Sequence, residues 1–325
     1  MVTELPCQPE GLTPDKSQAK YTVLRLTKRG LTSFEAMRHI AEALHLTVRQ
    51  VQCLGLKDED GVTEQLVSVE AILDDVSLEP LVTKLAQQKH SIELKIDSYT
   101  TTPLTVKRLH GNLFRVRLRH MTYNQATTLH DSLQKNPKLS FLNYYDQQRF
   151  GLPGGPYVTH KIGEALVHGD LEKAADYYAL SGNAPLDGID KKDIKPAIFD
   201  TINPQKKDFF VSAYTSYLWN ASISRTISSQ TSPSRKLTIC EGYTLKTCQD
   251  PQIEAMRYLD GYEVDGNGVV QACSKGRSSL VLTNIFVETA ISESGGYSLI
   301  INFFLPMGCY ATMAIKQLLA VRLGL

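Results

Sequence analysis

Gly55-Leu56-Lys57-Asp58-Glu59-Asp60-Gly61-Val62-Thr63-Glu64-Gln65 is the stretch whose residue types and spacing best suit chemistry. A carboxylate, Asp58, follows a cation, Lys57, inside a turn bracketed by Gly55 and Gly61. Apolar residues precede the turn (Val48, Val51, Cys53, Leu54) and follow it (Leu66, Val67, Val69). An acid at such a strand-to-turn junction is rigidly supported yet reachable by a ligand. A solvated surface pair is the alternative reading of the same two residues.

Two further clusters carry polar chemistry. Arg115, Arg117 and Arg119 alternate with Val116 and Leu118, so as a strand all three guanidinium groups leave one face, with Lys107 and Arg108 just upstream. Evenly spaced cations suit a nucleic-acid backbone; a solvated sheet face is the competing reading. Asn143-Tyr144-Tyr145-Asp146-Gln147-Gln148-Arg149-Phe150-Gly151 offers flat rings on which an unstacked base could lie. Asn143, Gln147 and Gln148 can bond base or sugar edges, and Arg149 can grip an anion in bidentate fashion. A tyrosine-rich corner of a core would look the same.

Several other chemistries are excluded. The chain has no G-x-x-x-x-G-K-[ST] loop, no G-x-G-x-x-G, no G-x-S-x-G and no H-E-x-x-H. Its six cysteines are scattered without a C-x-x-C pair, so reduced thiols and no structural zinc are expected, in a cytoplasmic protein without metal or cofactor. Met1 to Lys20 lacks the apolar core of a signal peptide, and no apolar run is long enough for a membrane helix. At 325 residues and 42% hydrophobic the chain can bury a sizeable core, with two lobes expected. A net charge of +1, from 35 basic and 34 acidic residues, neither demands nor excludes a nucleic-acid partner.

The elements that must hold these residues follow from periodicity. Strands are predicted at Tyr21–Leu26, Val51–Leu54, Val62–Val69, Ile92–Tyr99, Phe114–Leu118, Leu280–Val287 and Tyr297–Leu305. Thr32-Ser33-Phe34-Glu35 reads as a capping box opening a helix that carries Met37, Ile40, Ala41 and Leu44 on one face. Further helices are predicted over Leu78–Gln88, over a stretch that Asp131–Asn136 closes, and over Lys161–Val167, Leu171–Leu180, Phe209–Ile227 and Tyr310–Leu323. Ser228–Lys236 reads as an exposed loop, and Tyr243–Ser279 has no clear period. The pattern gives an α+β fold: a mixed sheet with flanking helices, interrupted by a mostly helical insertion.

Together these segments resemble the TruD family of tRNA pseudouridine synthases. Gly55 to Gln65 is similar to the family's G-x-K-D-x-x-A-x-T-x-Q, with Gly61 where alanine is usual. Asn143 to Gly151 resembles N-Y-F-G-x-Q-R-F-G, with Tyr145 for phenylalanine and Asp146 for glycine. Gly111-Asn112-Leu113-Phe114 resembles G-N-x-F, and Ser212 to Asn220 resembles the S-A-x-x-S-x-L-F-N helix. Phe304 to Thr312 resembles F-x-L-P-x-G-S-Y-A-T. These five motifs, in order, cover most of the chain.

The resemblance implies the pseudouridine-synthase sheet core, largely antiparallel, over residues 1–151 and 292–325, split by a shortened inserted domain over 152–291. It implies isomerisation of uridine in tRNA, usually uridine 13, by an Asp58 nucleophile without cofactor. Tyr145 is then expected to stack on the flipped base and Asn143 to orient it, with Lys57, Gln148 and Arg149 as further substrate-binding residues. Arg115, Arg117 and Arg119 would follow the RNA backbone. tRNA is the one partner implied; no membrane and no protein partner is. Family members open on a strand reading F-x-V-x-E, preceded by a lysine that pairs with the aspartate. Met1–Glu4 resembles the tail of that strand. A misplaced or truncated start is therefore expected, the alternatives being a substitute cation (Lys16, Lys20 or Lys57) or impaired activity.

Overall fold

The computed structural model describes residues 1–6, 12–13, 16–57, 59, 61–86, 91–151, 155–181, 195–197, 199, 204–228, 234–248, 261–265, 269–273 and 277–325. Asp58 lies outside them, as do 87–88 of the predicted Leu78–Gln88 helix. The chain forms two compact units, Met1–Gln134 with Ile285–Gly308, and Lys135–Asn284 with Cys309–Leu325.

The first unit is built on a twisted sheet of β1 (Val2–Pro6), β2 (Leu12–Thr13), β3 (Tyr21–Arg29), β4 (Val51–Cys53), β5 (Thr63–Val69), β6 (Ser91–Thr100) and β7 (Leu109–Met121). From one edge the order is β2-β6-β3-β5-β1-β7, with β4 beside β5. Only β1 with β5 is a parallel pair among these; the others are antiparallel, which gives the mixed, largely antiparallel sheet expected. Helices α1 (Ser33–Ala43) and α2 (Asp75–Ala86) cover β3, β5 and β6. Their apolar stripe (Ala36, Met37, Ile40, Ala41, Leu78) meets Leu24, Leu26, Val67, Val69, Ile92 and Leu94 in one core. The capping box forms as expected: Thr32 Oγ1 accepts from Glu35 N at 3.2 Å, and Glu35 Oε2 accepts from Thr32 N at 2.9 Å. Helix α3 (Tyr123–Lys135) buries Ala126, Leu129 and Leu133.

Strand β7 runs well beyond the predicted Phe114–Leu118, because it is zipped on both sides, by β1 and by β15 (Gly296–Pro306). Gly111, the glycine of G-N-x-F, sits where these strands crowd: a Cβ there would lie 2.3 Å from the Leu305 carbonyl oxygen and 2.5 Å from the Phe304 ring. Neither a backbone oxygen nor a ring between packed strands can yield cheaply. Gly111→Ala is expected to cost about 2 kcal/mol or more, read as a lowered urea midpoint with unchanged slope.

The second unit holds β8 (Lys138–Leu142), antiparallel to the first five residues of β13 (Leu280–Val287). The last three residues of β13 pair with β15 in the first unit, where β14 (Ile291–Glu293) also pairs β15. Helices α4 (Thr159–Val167), α5 (Leu171–Leu180) and α6 (Pro204–Ser228) form a cluster around Ile162, Ala174, Tyr178 and Phe210. Helix α7 (Ala311–Leu323) buries Met313, Ala314, Gln317 and Leu318. Two ribbons form, β9 (Ser234–Cys240) with β10 (Tyr243–Cys248) and β11 (Gly261–Val264) with β12 (Val270–Cys273), and β10, β11 and β12 fall in the stretch whose period was unreadable. Ser234–Lys236, expected in an exposed loop, is instead the start of β9, because Cys248, Thr247 and Lys246 supply a partner strand; residues 229–233 lie outside the described residues. Among the described residues no helix is long and apolar enough to cross a membrane.

Candidate active site

In the first unit the turn after β4 rests on a buried polar base. Ser33 Oγ accepts from Lys57 N at 2.8 Å and donates to Gln65 Oε1 at 2.9 Å. Gln65 Nε2 in turn donates to the Gly55 carbonyl at 3.3 Å. The threonine and glutamine of the T-x-Q ending thus project inward: Thr63 and Gln65 are both 1% exposed. Gln65 holds the start of the turn rather than facing solvent. At Gly61 an added Cβ would meet only Thr63 Cγ2, at 3.9 Å, so the alanine usual in the family pattern fits here without strain.

Lys57, named from sequence as a substrate-binding candidate, points inward. Its ammonium lies 2.6 Å from Glu4 Oε1, with the two side chains 8% and 0% exposed. Glu4 Oε2 also accepts from Leu66 N at 3.1 Å. Burial raises the Glu4 carboxyl above its ordinary value, and Lys57 opposes that shift. Lys28, not singled out from sequence, donates to the Leu31 carbonyl at 2.7 Å and to the Lys57 carbonyl at 3.3 Å.

Arg115, Arg117 and Arg119 are all exposed on β7, as the alternation predicts. Arg115 makes a bidentate pair with Glu288, Nε to Oε1 at 3.0 Å and Nη2 to Oε2 at 2.9 Å. The hydrogen bonds from Arg115 and then Asn302 hold Glu288 below the usual carboxylate range. Arg117 pairs with Glu293 and donates to Ser298 Oγ at 3.1 Å. Arg119 has no carboxylate partner among the described residues. Exposed pairs of this kind are weak, so a polyanion can compete for the two arginines.

In the second unit Asn143, Tyr145 and Arg149 are brought together, while Gln148 is exposed beside them. Asn143 is 3% exposed and its amide is engaged: Nδ2 donates to the Ser278 carbonyl and Oδ1 accepts from Arg277 Nη2 at 2.9 Å. Asn220, fully buried, clamps the backbone of Tyr145, its Oδ1 accepting from Tyr145 N at 2.8 Å and its Nδ2 donating to Tyr145 O at 2.9 Å. Trp219 Nε1 donates to the Asn143 carbonyl at 3.0 Å, and Arg149 Nε donates to Ser216 Oγ at 3.1 Å. Ser216, Trp219 and Asn220 stand three and four positions apart, so one face of α6 supports the whole segment. The ring of Tyr145 is half-buried, with the Arg277 guanidinium carbon 3.9 Å and the Arg149 carbon 5.8 Å from its centroid and Tyr310 edge-on at 6.1 Å. Asp146 lies where the family pattern has glycine; it is 1% exposed and paired with Lys316 at 2.8 Å.

Sequence reasoning passed over Lys28, Arg277 and Lys316. Lys28 carried a signal, a charge in the register of Leu24 and Leu26 on the covered face of β3. Arg277 fell in the stretch without period, and Lys316 is one of many helical lysines; neither stood out.

His160 packs beneath this segment, stacked on Tyr217 at 4.7 Å and 17° and edge-on to Phe150 at 5.3 Å, with Tyr243 nearby at 6.3 Å. Burial first, and Lys161 second, lower its pKa to about 4. The unfolded chain binds that proton near pH 6.5. The contribution is therefore complete above pH 6.5 and is lost as pH falls toward 4, by about 2–3 kcal/mol. His160→Phe keeps an aromatic ring without the proton. Urea titrations of the two proteins between pH 7 and 4 are expected to differ in slope against pH, the wild type falling more steeply.

The family model for tRNA pseudouridine synthase D (TruD) matches residues 1–187. The tRNA pseudouridine synthase D of Geotalea daltonii is 30% identical over 179 residues, 54% of this chain and 41% of that protein. That of Helicobacter hepaticus is 31% identical over 166 residues, 50% and 40% of the two chains. This chain thus spans about two-fifths of the length of these curated relatives. The crystal structure of a TruD protein from Methanosarcina mazei aligns over 100% of this chain and 92% of its own, with a TM-score of 0.58 at 17% identity, a likeness of fold. With more than half of its residues matched by the family model, and its turn motif seated on the buried base described above, the chain belongs to the TruD family.

Proposed function

We propose that this chain is a pseudouridine synthase that acts on tRNA, with uridine 13 as the target and Asp58 as the nucleophile. The reaction breaks the N1–C1′ bond of uridine, turns the uracil and joins C5 to C1′. The C5 proton goes to solvent and N1 takes up a proton in its place, so the step is an isomerisation that needs no oxidant or reductant. Asp58 attacks C6 of the ring or C1′ of the ribose, and in either case must be ionised. Tyr145 stacks on the flipped base, Asn143 orients it, and Lys57, Gln148 and Arg149 complete the substrate-binding set. Arg115, Arg117 and Arg119 contact phosphates, the first two by exchanging Glu288 and Glu293 for RNA. A catalytic core over 1–151 and 292–325, an insert over 152–291 and a cytoplasmic location belong to the same reading.

The observation that carries it is the buried hydrogen-bonded base under the Lys57 turn, from Ser33 and Gln65 to Gly55 and Lys57. Fixing the backbone that leads up to residue 58 so firmly is what a positioned nucleophile requires. The test is tritium release from tRNA transcribed with 5-tritiated uridine. The expected result is release reaching a plateau of about one tritium per susceptible tRNA, set by a single modified site. No release from any tRNA, with tRNA still shifted in a low-salt gel, would replace the enzyme by an RNA-binding protein of the same fold.

A further inference from the structure

We propose that Arg277 is a positioning residue for the reacting nucleotide: its guanidinium backs the Tyr145 ring and ties it to Asn143, so that the tyrosine offers one fixed face to a uracil. The inference rests on the reading of Tyr145 as the ring that stacks on the flipped base. Every residue it uses belongs to the second unit.

The pairing of β8 with β13 delivers Arg277 to this place. Leu142 stands opposite Leu280, and the contact runs on past the ladder. Asn143 N donates to the Ser279 carbonyl at 2.8 Å, and Asn143 Nδ2 donates to the Ser278 carbonyl at 2.8 Å. Arg277 then lies alongside Asn143, its Nη2 donating to the Asn143 carbonyl at 3.1 Å and to Oδ1 at 2.9 Å. With that end of the guanidinium held, its carbon comes 3.9 Å from the Tyr145 centroid, in contact with one ring face. Trp219 closes the same corner, its ring 6.0 Å from the Arg277 carbon and its Nε1 donating to the Asn143 carbonyl at 3.0 Å.

Other groups fix where Tyr145 sits. Asn220 clamps its backbone N and O, at 2.8 and 2.9 Å, and Tyr310 meets its ring edge-on at 6.1 Å. The outer torsion of a tyrosine is broad, so these contacts leave the plane of the ring poorly determined. A planar cation held against one face determines it and leaves the opposite face for a base. Base, phenol and guanidinium then form one stack. Lysine cannot replace arginine here, because a compact ammonium has neither the plane nor the fork that spans Asn143. Asn143 is 3% exposed, so the orientation it gives reaches the base through Arg277 and Tyr145.

The consequence is kinetic. A uridine leaves its stack after the tRNA has bound, and phosphate contacts supply most of the affinity. A ring held in plane raises the share of bound tRNA whose base is in place, which enters the rate at saturation rather than the affinity.

The test is single-turnover tritium release from tRNA carrying 5-tritiated uridine, over a range of enzyme concentrations. Wild type is compared with Arg277→Met, Arg277→Lys, Tyr145→Leu and the double variant Tyr145→Leu with Arg277→Met. Arg277→Met is expected to lower the saturated rate about 10-fold or more, with half-saturation within about threefold of wild type. Arg277→Lys, charged but not planar, should be slowed nearly as much. The double variant should be no slower than Tyr145→Leu alone, because the arginine acts through the ring. Trp219 is the single tryptophan of the chain and bonds Asn143, so its emission, with the urea midpoint, checks that the segment keeps its seat. If the methionine variant fails that check, the lysine variant carries the comparison. A wild-type rate in either folded arginine variant overturns the role of Arg277, as do losses that add in the double variant. A faster Arg277→Met overturns it too, since the guanidinium would then block the ring rather than back it. Tyr145→Leu at the wild-type rate overturns instead the reading of Tyr145 on which the inference rests.

Discussion

Asp58→Asn is expected to abolish pseudouridine formation, lowering the single-turnover rate by at least about 10³-fold, with tRNA affinity and the urea midpoint nearly unchanged. The substitution preserves shape and removes the negative charge that attacks carbon, so a carboxamide cannot form the transient bond to the nucleotide. Folding should be spared because the structural tasks of the motif fall on other residues. Gln65 holds Gly55, Ser33 holds Lys57, and Lys57 holds Glu4. Asparagine can revert slowly to aspartate by deamidation, so Asp58→Ala is the necessary companion: it must be equally dead and stay so on storage. The readouts are tritium release, filter binding of tRNA and urea unfolding on the same preparations. Wild-type turnover by the alanine variant would remove Asp58 from the chemistry and with it the proposed mechanism.

What was legible in the chain divides along physical lines. Local rules gave local elements. Asp170 caps α5 by accepting from Lys173 N at 3.1 Å, and Leu171–Leu180 was read to the residue. The capping box at Thr32 and the strand Leu280–Val287 were equally plain. Long-range pairing was not legible. The reach of β7 depends on β1 and β15, which arrive from opposite ends of the sequence, and the start of β9 depends on a partner after a two-residue turn. The candidate site shows the same split. Motif spacing located Lys57, Asn143, Tyr145 and Arg149, but direction was hidden: Lys57 faces Glu4, and the amide of Asn143 is shared with Ser278 and Arg277. Which way a polar side chain turns is decided by partners more than sixty residues away, as in Glu4 with Leu66 N. Lys28 is the exception in which the sequence did carry the signal, a charge in an apolar register.

Lys57→Met is expected to destabilise the protein by about 3–5 kcal/mol, the cost of leaving a buried carboxylate without its cation. Glu4 is the side chain left behind, 0% exposed and already raised by burial with Lys57 as its main counterweight. Glu4→Gln alone should cost less, because a neutral amide retains an oxygen for Leu66 N, which now bonds Glu4 Oε2 at 3.1 Å. The double variant, Glu4→Gln with Lys57→Met, removes both charges from a covered site and is expected to recover much of the loss, since neutralising a buried pair is often nearly neutral in stability. The four urea curves form a cycle whose coupling is large and favourable to the native pair. Additive losses would show that the two groups act independently and that the 2.6 Å contact contributes nothing. Activity separates the remaining alternative for Lys57. If it acts on RNA, the folded double variant should lose tRNA affinity with a reduced salt slope. If it serves the turn alone, affinity should hold while the rate falls, because the backbone before Asp58 has lost one of its anchors.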